Sequence, residues 1–129
     1  MMIDHVGIAV RSLEAAIKAY EALGLKVSST DTVASEGVKV AFLPVGDTRI
    51  ELLEPITPES AIAKAIEKRG EGIHHIALHV EDIEGSMRAA KEGGLQLVNE
   101  TPRIGAHGRK IAFIHPKSMS GVLLELVQD

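Results

Sequence analysis

Apolar and polar side chains alternate through residues 3–10, and the apolar ones are mostly branched, so the period of two predicts a strand there. The period then lengthens. Leu13, Ile17 and Tyr20, completed by Leu23 or Ala16, recur at helical spacing behind Ser12 as N-cap. Gly24 stands where a left-handed glycine closes such a helix. Strands follow at roughly 25–33, 37–44 and 47–54, the last two joined by a tight Gly46-Asp47 turn. The same order returns further on, with a strand over roughly 73–80, a helix from an Asp82 cap to about 92, and strands near 95–101, 109–115 and 121–128. Between the halves, Thr57-Pro58-Glu59 reads as an N-cap with proline in the first turn of a helix carrying Ile62 and Ile66 and ending by Gly70. The expected fold is α+β. Two tandem βαβββ modules, about 1–54 and 73–129, are joined by a helical linker over about 55–72, and the whole of 1–129 forms one domain.

The two halves are also alike residue by residue. Asp4-His5-Val6-Gly7-Ile8-Ala9-Val10 returns as His74-His75-Ile76-Ala77-Leu78-His79-Val80, and Gly24-Leu25 as Gly94-Leu95. Val40-Ala41-Phe42-Leu43 is echoed by Ile111-Ala112-Phe113-Ile114, and Arg49-Ile50-Glu51-Leu52-Leu53 by Leu123-Leu124-Glu125-Leu126-Val127. Two polar residues survive at matching places in both copies: His5 with His75, and Glu51 with Glu125. On a strand, His5 shares its face with the small residues Gly7 and Ala9, and His75 with Ala77, while the bulky residues turn the other way to pack on a helix. Each Glu likewise points away from its flanking Ile or Leu, toward the face that carries the histidine.

A lone strand histidine is ordinarily structural, and a lone Glu between leucines ordinarily marks a solvated face. Four such residues at duplicated positions point instead to a divalent metal held in a cup between the two sheets, because buried carboxylates need a counter-charge. Imidazole nitrogen and carboxylate oxygen suit Zn, Co, Mn, Ni or Fe better than Ca or Mg. His79 occupies the place of Ala9, roughly 13 Å along the strand from His75, and reads as a cavity wall or structural residue. His74 matches Asp4, faces the helix side, and is not expected to be a ligand.

Composition narrows the field. The 129 residues include no Cys, which removes disulfides and thiolate metal sites alike. Aromatic residues make up only 2 % and the net charge is −4, so neither a stacking platform nor a basic field for nucleic acid is expected. No apolar run has the length of a membrane span, and the chain begins directly with the strand pattern, so a soluble cytoplasmic protein is expected.

On these residues the chain resembles the vicinal oxygen chelate superfamily (glyoxalase/bleomycin resistance/dioxygenase). Within it the methylmalonyl-CoA epimerase family is nearest, through Gly72-Ile73-His74-His75-Ile76, Ile104-Gly105-Ala106-His107-Gly108 and His115-Pro116-Lys117 followed by Gly121-Val122-Leu123-Leu124-Glu125-Leu126. The first repeated string is common across the superfamily; the Gly-Ala-His-Gly loop is more particular to the epimerases. The resemblance implies His5, His75 and Glu125 as metal ligands with Glu51 as the fourth, and a divalent ion for which Co2+ is expected first and Mn2+, Ni2+ or Zn2+ are alternatives. It also implies an acyl-CoA substrate, a homodimer, and a metabolic link to a cobalamin-dependent methylmalonyl-CoA mutase.

The implied reaction interconverts (2R)- and (2S)-methylmalonyl-CoA. The α-proton leaves to give a metal-stabilised enolate, which is reprotonated on the opposite face. Glu125 serves as the catalytic group on one face and Glu36 on the other. Some relatives carry the loop Glu one residue earlier, where this chain has Ser35, and His107 is the reserve candidate because its loop is the repeat partner of Glu36-Gly37. Arg49, Arg109, Lys110 and Lys117 are cations that CoA phosphates would attract, although each also reads as an ordinary surface charge. The rival readings are a glyoxalase I-type isomerase acting on a glutathione hemithioacetal, an extradiol dioxygenase, and a metal-free small-molecule binding or resistance protein of the same fold.

Overall fold

Local chemistry starts each helix. The Ser12 hydroxyl accepts the Ala15 N–H and opens α1 (Leu13–Glu21), and the Asp82 carboxylate accepts the Gly85 N–H and opens α3 (Ile83–Glu92). The computed structural model describes all residues, 1–129, and the chain divides into two compact units. One is His5–His74; the other is Met1–Asp4 with His75–Asp129.

In the first unit, β1 (Met2–Ala9) contributes Val6–Ala9, which run parallel to β4 (Thr48–Pro55). β4 is antiparallel to β3 (Val38–Val45), and β3 to β2 (Ser29–Val33), so the strand order is β2-β3-β4-β1. The Val45↔Thr48 pair closes the Gly46-Asp47 hairpin, with Gly46 at φ +62°. Val10, Ala41, Leu43 and Leu52 are buried beneath Leu13, Ile17 and Tyr20 of α1. α2 (Ala61–Arg69) packs on β4 through the buried Ile62 and Ile66, so the expected linker helix belongs to this unit.

The second unit repeats the plan. β5 (Gly72–His79) contributes the residues from His75 onward, which run parallel to β8 (Leu124–Gln128). β8 is antiparallel to β7 (Lys110–Ile114) and β7 to β6 (Arg103–Ile104), giving β5-β8-β7-β6. Ile83, Met87 and Ala90 of α3 bury against Ala112, Ile114 and Leu126. The α+β class and the βαβββ order of each half are as the periodicity predicts.

Besides β8, which begins at Leu124 and not near 121, three boundaries differ from expectation, each for a local reason. Residues 25–28 are not strand: Leu25 and Val27 turn into the α1 core, and β2 begins only where Ser29 meets Phe42. The strand expected at 95–101 is reduced to an isolated Leu97↔Ile114 bridge before the two-residue β6. There Ser118 Oγ accepts the Gln96 N–H and Asn99 Oδ1 accepts the Phe113 N–H, so side chains replace ladder carbonyls. Finally, α2 is capped by Ser60, whose hydroxyl accepts the Ala63 N–H, and not by Thr57. Thr57 instead offers its carbonyl to the Ser60 N–H, and Pro58-Glu59 turn the chain ahead of the helix.

Candidate metal centre

The strand register explains why each unit brings one histidine to one glutamate. Gly7 lies opposite Glu51 across β1 and β4, and Ala77 lies opposite Glu125 across β5 and β8. Residues in register share a face, and His5 and His75 are each two positions earlier on that same face. With only a hydrogen or a methyl group standing between them, the imidazole and the carboxylate reach each other. His5 Nδ1 lies 3.0 Å from Glu51 Oε2, and His75 Nε2 lies 3.2 Å from Glu125 Oε1. A phenylalanine completes each set: Phe42 is in register with Glu51 and Phe113 with Glu125, and the Phe113 ring meets the His75 ring edge-on at 5.8 Å.

All four polar residues are buried, His5 at 3 % exposure and the other three at 5 %. Carboxylates this far from water require partners, and every buried side-chain N and O atom has one. The donor set of each unit, one imidazole and one carboxylate, fits a divalent transition metal, which would supply the counter-charge that a buried carboxylate needs.

Arg49 has a role that its surface-charge reading misses. Its Nε donates to Glu51 Oε2 at 3.0 Å, and its guanidinium carbon lies 5.4 Å from the centroid of the Phe42 ring. The signal is legible in the chain, because residues 49 and 51 of a strand share a face. Phe42 and Phe113 were legible too, as an aromatic pair retained in the echoed strands.

The remaining candidates are placed as follows. Glu36 ends a 3-10 turn, Ala34–Glu36, and is half-buried, whereas Ser35 is exposed. Gly37 follows in the left-handed region at φ +66°. His107 is exposed in the equivalent turn, Ala106–Gly108, and itself adopts φ +58°, which is uncommon for a residue with a side chain. His79 Nε2 lies 3.4 Å from an Asp129 carboxylate oxygen, in keeping with a structural residue. His74 is pushed down to about 4, by burial first and by the charge of Arg69 second. His115 caps the turn Pro116–Ser118, its Nδ1 accepting the Lys117 N–H, which accounts locally for the His-Pro-Lys string.

Besides Arg49, two more of the cations considered for phosphate already serve carboxylates. Arg109 donates through both terminal nitrogens to Asp4, at 2.8 and 3.0 Å, and to Asp129 at 3.1 Å. That hydrogen bond holds the Asp129 carboxyl below its ordinary range. Lys110 reaches Glu84 at 3.5 Å.

Comparison with known proteins agrees with this architecture. The family description Glyoxalase/Bleomycin resistance protein/Dioxygenase superfamily matches residues 4–113. The ethylmalonyl-CoA/methylmalonyl-CoA epimerase of Cereibacter sphaeroides is 43 % identical over 129 residues, covering 98 % of this chain and 96 % of that protein. The crystal structure of methylmalonyl-CoA epimerase from Mycobacterium tuberculosis matches with a TM-score of 0.93 at 40 % identity, over 98 % of this chain and 87 % of that one. A variant of Streptomyces coelicolor methylmalonyl-CoA epimerase, in complex with 2-nitronate-propionyl-CoA, matches with a TM-score of 0.94 at 37 % identity, over 100 % and 97 %.

Proposed function

Because the chain belongs to the glyoxalase/bleomycin resistance protein/dioxygenase superfamily, and within it to the methylmalonyl-CoA epimerase family, we propose that it interconverts the two C2 epimers of methylmalonyl-CoA. The observation that carries this reading is the buried His–Glu pair in each unit, set in a chain 43 % identical along nearly its whole length to an epimerase. His5 and Glu51 from one unit and His75 and Glu125 from the other are assigned to a single divalent ion, Co2+ first and Mn2+, Ni2+ or Zn2+ as alternatives. The two units then act as halves of one functional domain over 1–129.

When bound, the ion supplies Lewis acidity toward the thioester oxygen. The protein does the rest. The C2 hydrogen lies between a thioester carbonyl and a carboxylate, so its removal leaves an electron pair delocalised toward the thioester. Glu125 takes that proton on one face and becomes the acid. A second group returns a proton to the opposite face of the now planar carbon, inverting it, and the roles reverse for the other epimer. Glu36 is assigned the second role. It is partly shielded and its position is set by the left-handed Gly37 that follows, whereas His107 is exposed and remains the reserve. The assignment also carries a homodimer in the cytoplasm and a cobalamin-dependent mutase as metabolic neighbour.

The test is isotopic. Metal-stripped protein given one epimer of methylmalonyl-CoA in heavy water should incorporate no deuterium at C2, and Co2+ or Mn2+ should restore both incorporation and loss of stereochemical purity. The His75→Ala variant should lose metal and turnover together. Absence of exchange with metal bound would remove this substrate and bring glutathione hemithioacetal forward, whereas retained ligand binding by a metal-free His75→Ala protein would favour the resistance-type binder.

A further inference from the structure

Within residues 5–74, the buried carboxylate of Glu51 carries a cation that its repeat partner does not receive at the matching position. Arg49 and Glu51 lie two residues apart on one face of β4, and Arg49 Nε donates to Oε2 at 3.0 Å. The same oxygen faces His5 Nδ1 at 3.0 Å. The guanidinium carbon also lies 5.4 Å from the centroid of the Phe42 ring, and Phe42 is itself in register with Glu51. The Glu51 side chain is 6 % exposed and that of Arg49 26 %, so this pair is screened far less than a surface ion pair. In the second unit, the residue two before Glu125 is Leu123, which brings no charge.

We propose that Arg49 is a positioning residue that fixes Glu51 as a stationary metal ligand and shares its charge. The two carboxylates that the duplication made equivalent therefore do different work: Glu51 holds the ion and Glu125 moves the proton. This rests on the metal-centre reading given above. A charge count supplies the reason for it. Two carboxylates cancel a divalent ion, but with Arg49 beside Glu51 one positive unit remains for an anionic substrate, and its negative charge shifts toward the ion as the proton leaves. A carboxylate gripped at one oxygen by arginine is also poorly suited to swing off the metal as a base.

The experiment is a Co2+ titration of metal-stripped wild-type, R49M and R49K protein, followed by calorimetry and by the visible absorption of the bound ion, with kcat and KM measured on the same samples. R49M should bind Co2+ about 10–100-fold more weakly, as the loss of an outer-shell partner does. Its visible band should shift, and kcat should fall more than KM rises. R49K should restore the wild-type band and most of the affinity. Affinity and band unchanged in R49M, or R49K impaired as much as R49M, overturns the role of Arg49. Wild-type protein that binds no Co2+ overturns the underlying metal reading instead, so the two failures are distinct. Should R49M not fold, R49Q, which keeps a polar contact without the charge, replaces it under the same criteria.

Discussion

Glu125 and Glu36 are both carboxylates, yet their surroundings predict different consequences when either is made neutral. Glu125 is buried 3.2 Å from His75 and is assigned both to the metal and to one face of the substrate, so Glu125→Gln should lose exchange and epimerisation alike. Glu36 stands on a half-buried turn and is assigned to one proton only. Glu36→Gln should therefore lower epimerisation by about 10²–10⁴-fold, while deuterium exchange persists for the single epimer whose hydrogen faces Glu125. Equal loss of exchange for both epimers would deny it the second role and turn attention to His107. At this scale the chain itself disclosed a good deal. The histidine and glutamate positions follow from duplication and strand alternation, as does Arg49 beside Glu51, whereas the contact of Arg49 with Phe42 emerged only once β4 was laid beside β3.

Caps and turns decide where the elements begin, and two of them make measurable predictions. Ser60 rather than Thr57 satisfies the first turn of α2, so Ser60→Ala should cost about 0.5–2 kcal/mol in urea unfolding and Thr57→Ala distinctly less. From the chain Thr57 reads as the cap, because Pro58 then falls in the first turn, a familiar pattern. Only the placement of the helix on β4 through Ile62 and Ile66 selects the later start. Gly37 is a second fixed point. Its φ of +66° suits glycine, and an added Cβ would meet Ser60 Cβ at 3.0 Å and Thr57 Oγ1 at 3.1 Å. Its carbonyl also accepts the Ile56 N–H at 2.7 Å. Gly37→Ala should therefore destabilise the protein and reduce epimerisation together, since the turn it disturbs carries Glu36. The expected strand at 95–101 failed for a complementary reason: Leu95 and Leu97 do lie on one face, but Ser118 and Asn99 supply competing side-chain partners that no local pattern announces.

For the molecule as a whole, His74 gives acid stability a specific shape. Its folded value of about 4 lies below the ordinary 6.5, so the unfolded chain binds the extra proton first as pH falls. The stability it contributes is complete above pH 6.5, is lost between there and about pH 4, and changes no further below. The ceiling is about 3 kcal/mol, lowered by partial exposure. In metal-stripped protein, urea midpoints of His74→Gln should fall less steeply than wild type across that window; parallel curves would deny His74 this part. What the chain determined alone is what depends on neighbours in sequence: the two periodicities, the duplicated βαβββ order, the chemical types of the four candidate ligands and the face on which each lies. The tertiary structure decided what depends on residues far apart in sequence. It chose Ser60 as cap, shortened β6, drew Arg109 onto Asp4 and Asp129, and brought Arg49 to Phe42. The physical reason is that side-chain alternation is a property of a single strand, whereas burial, register and charge pairing exist only once strands from different parts of the chain lie side by side.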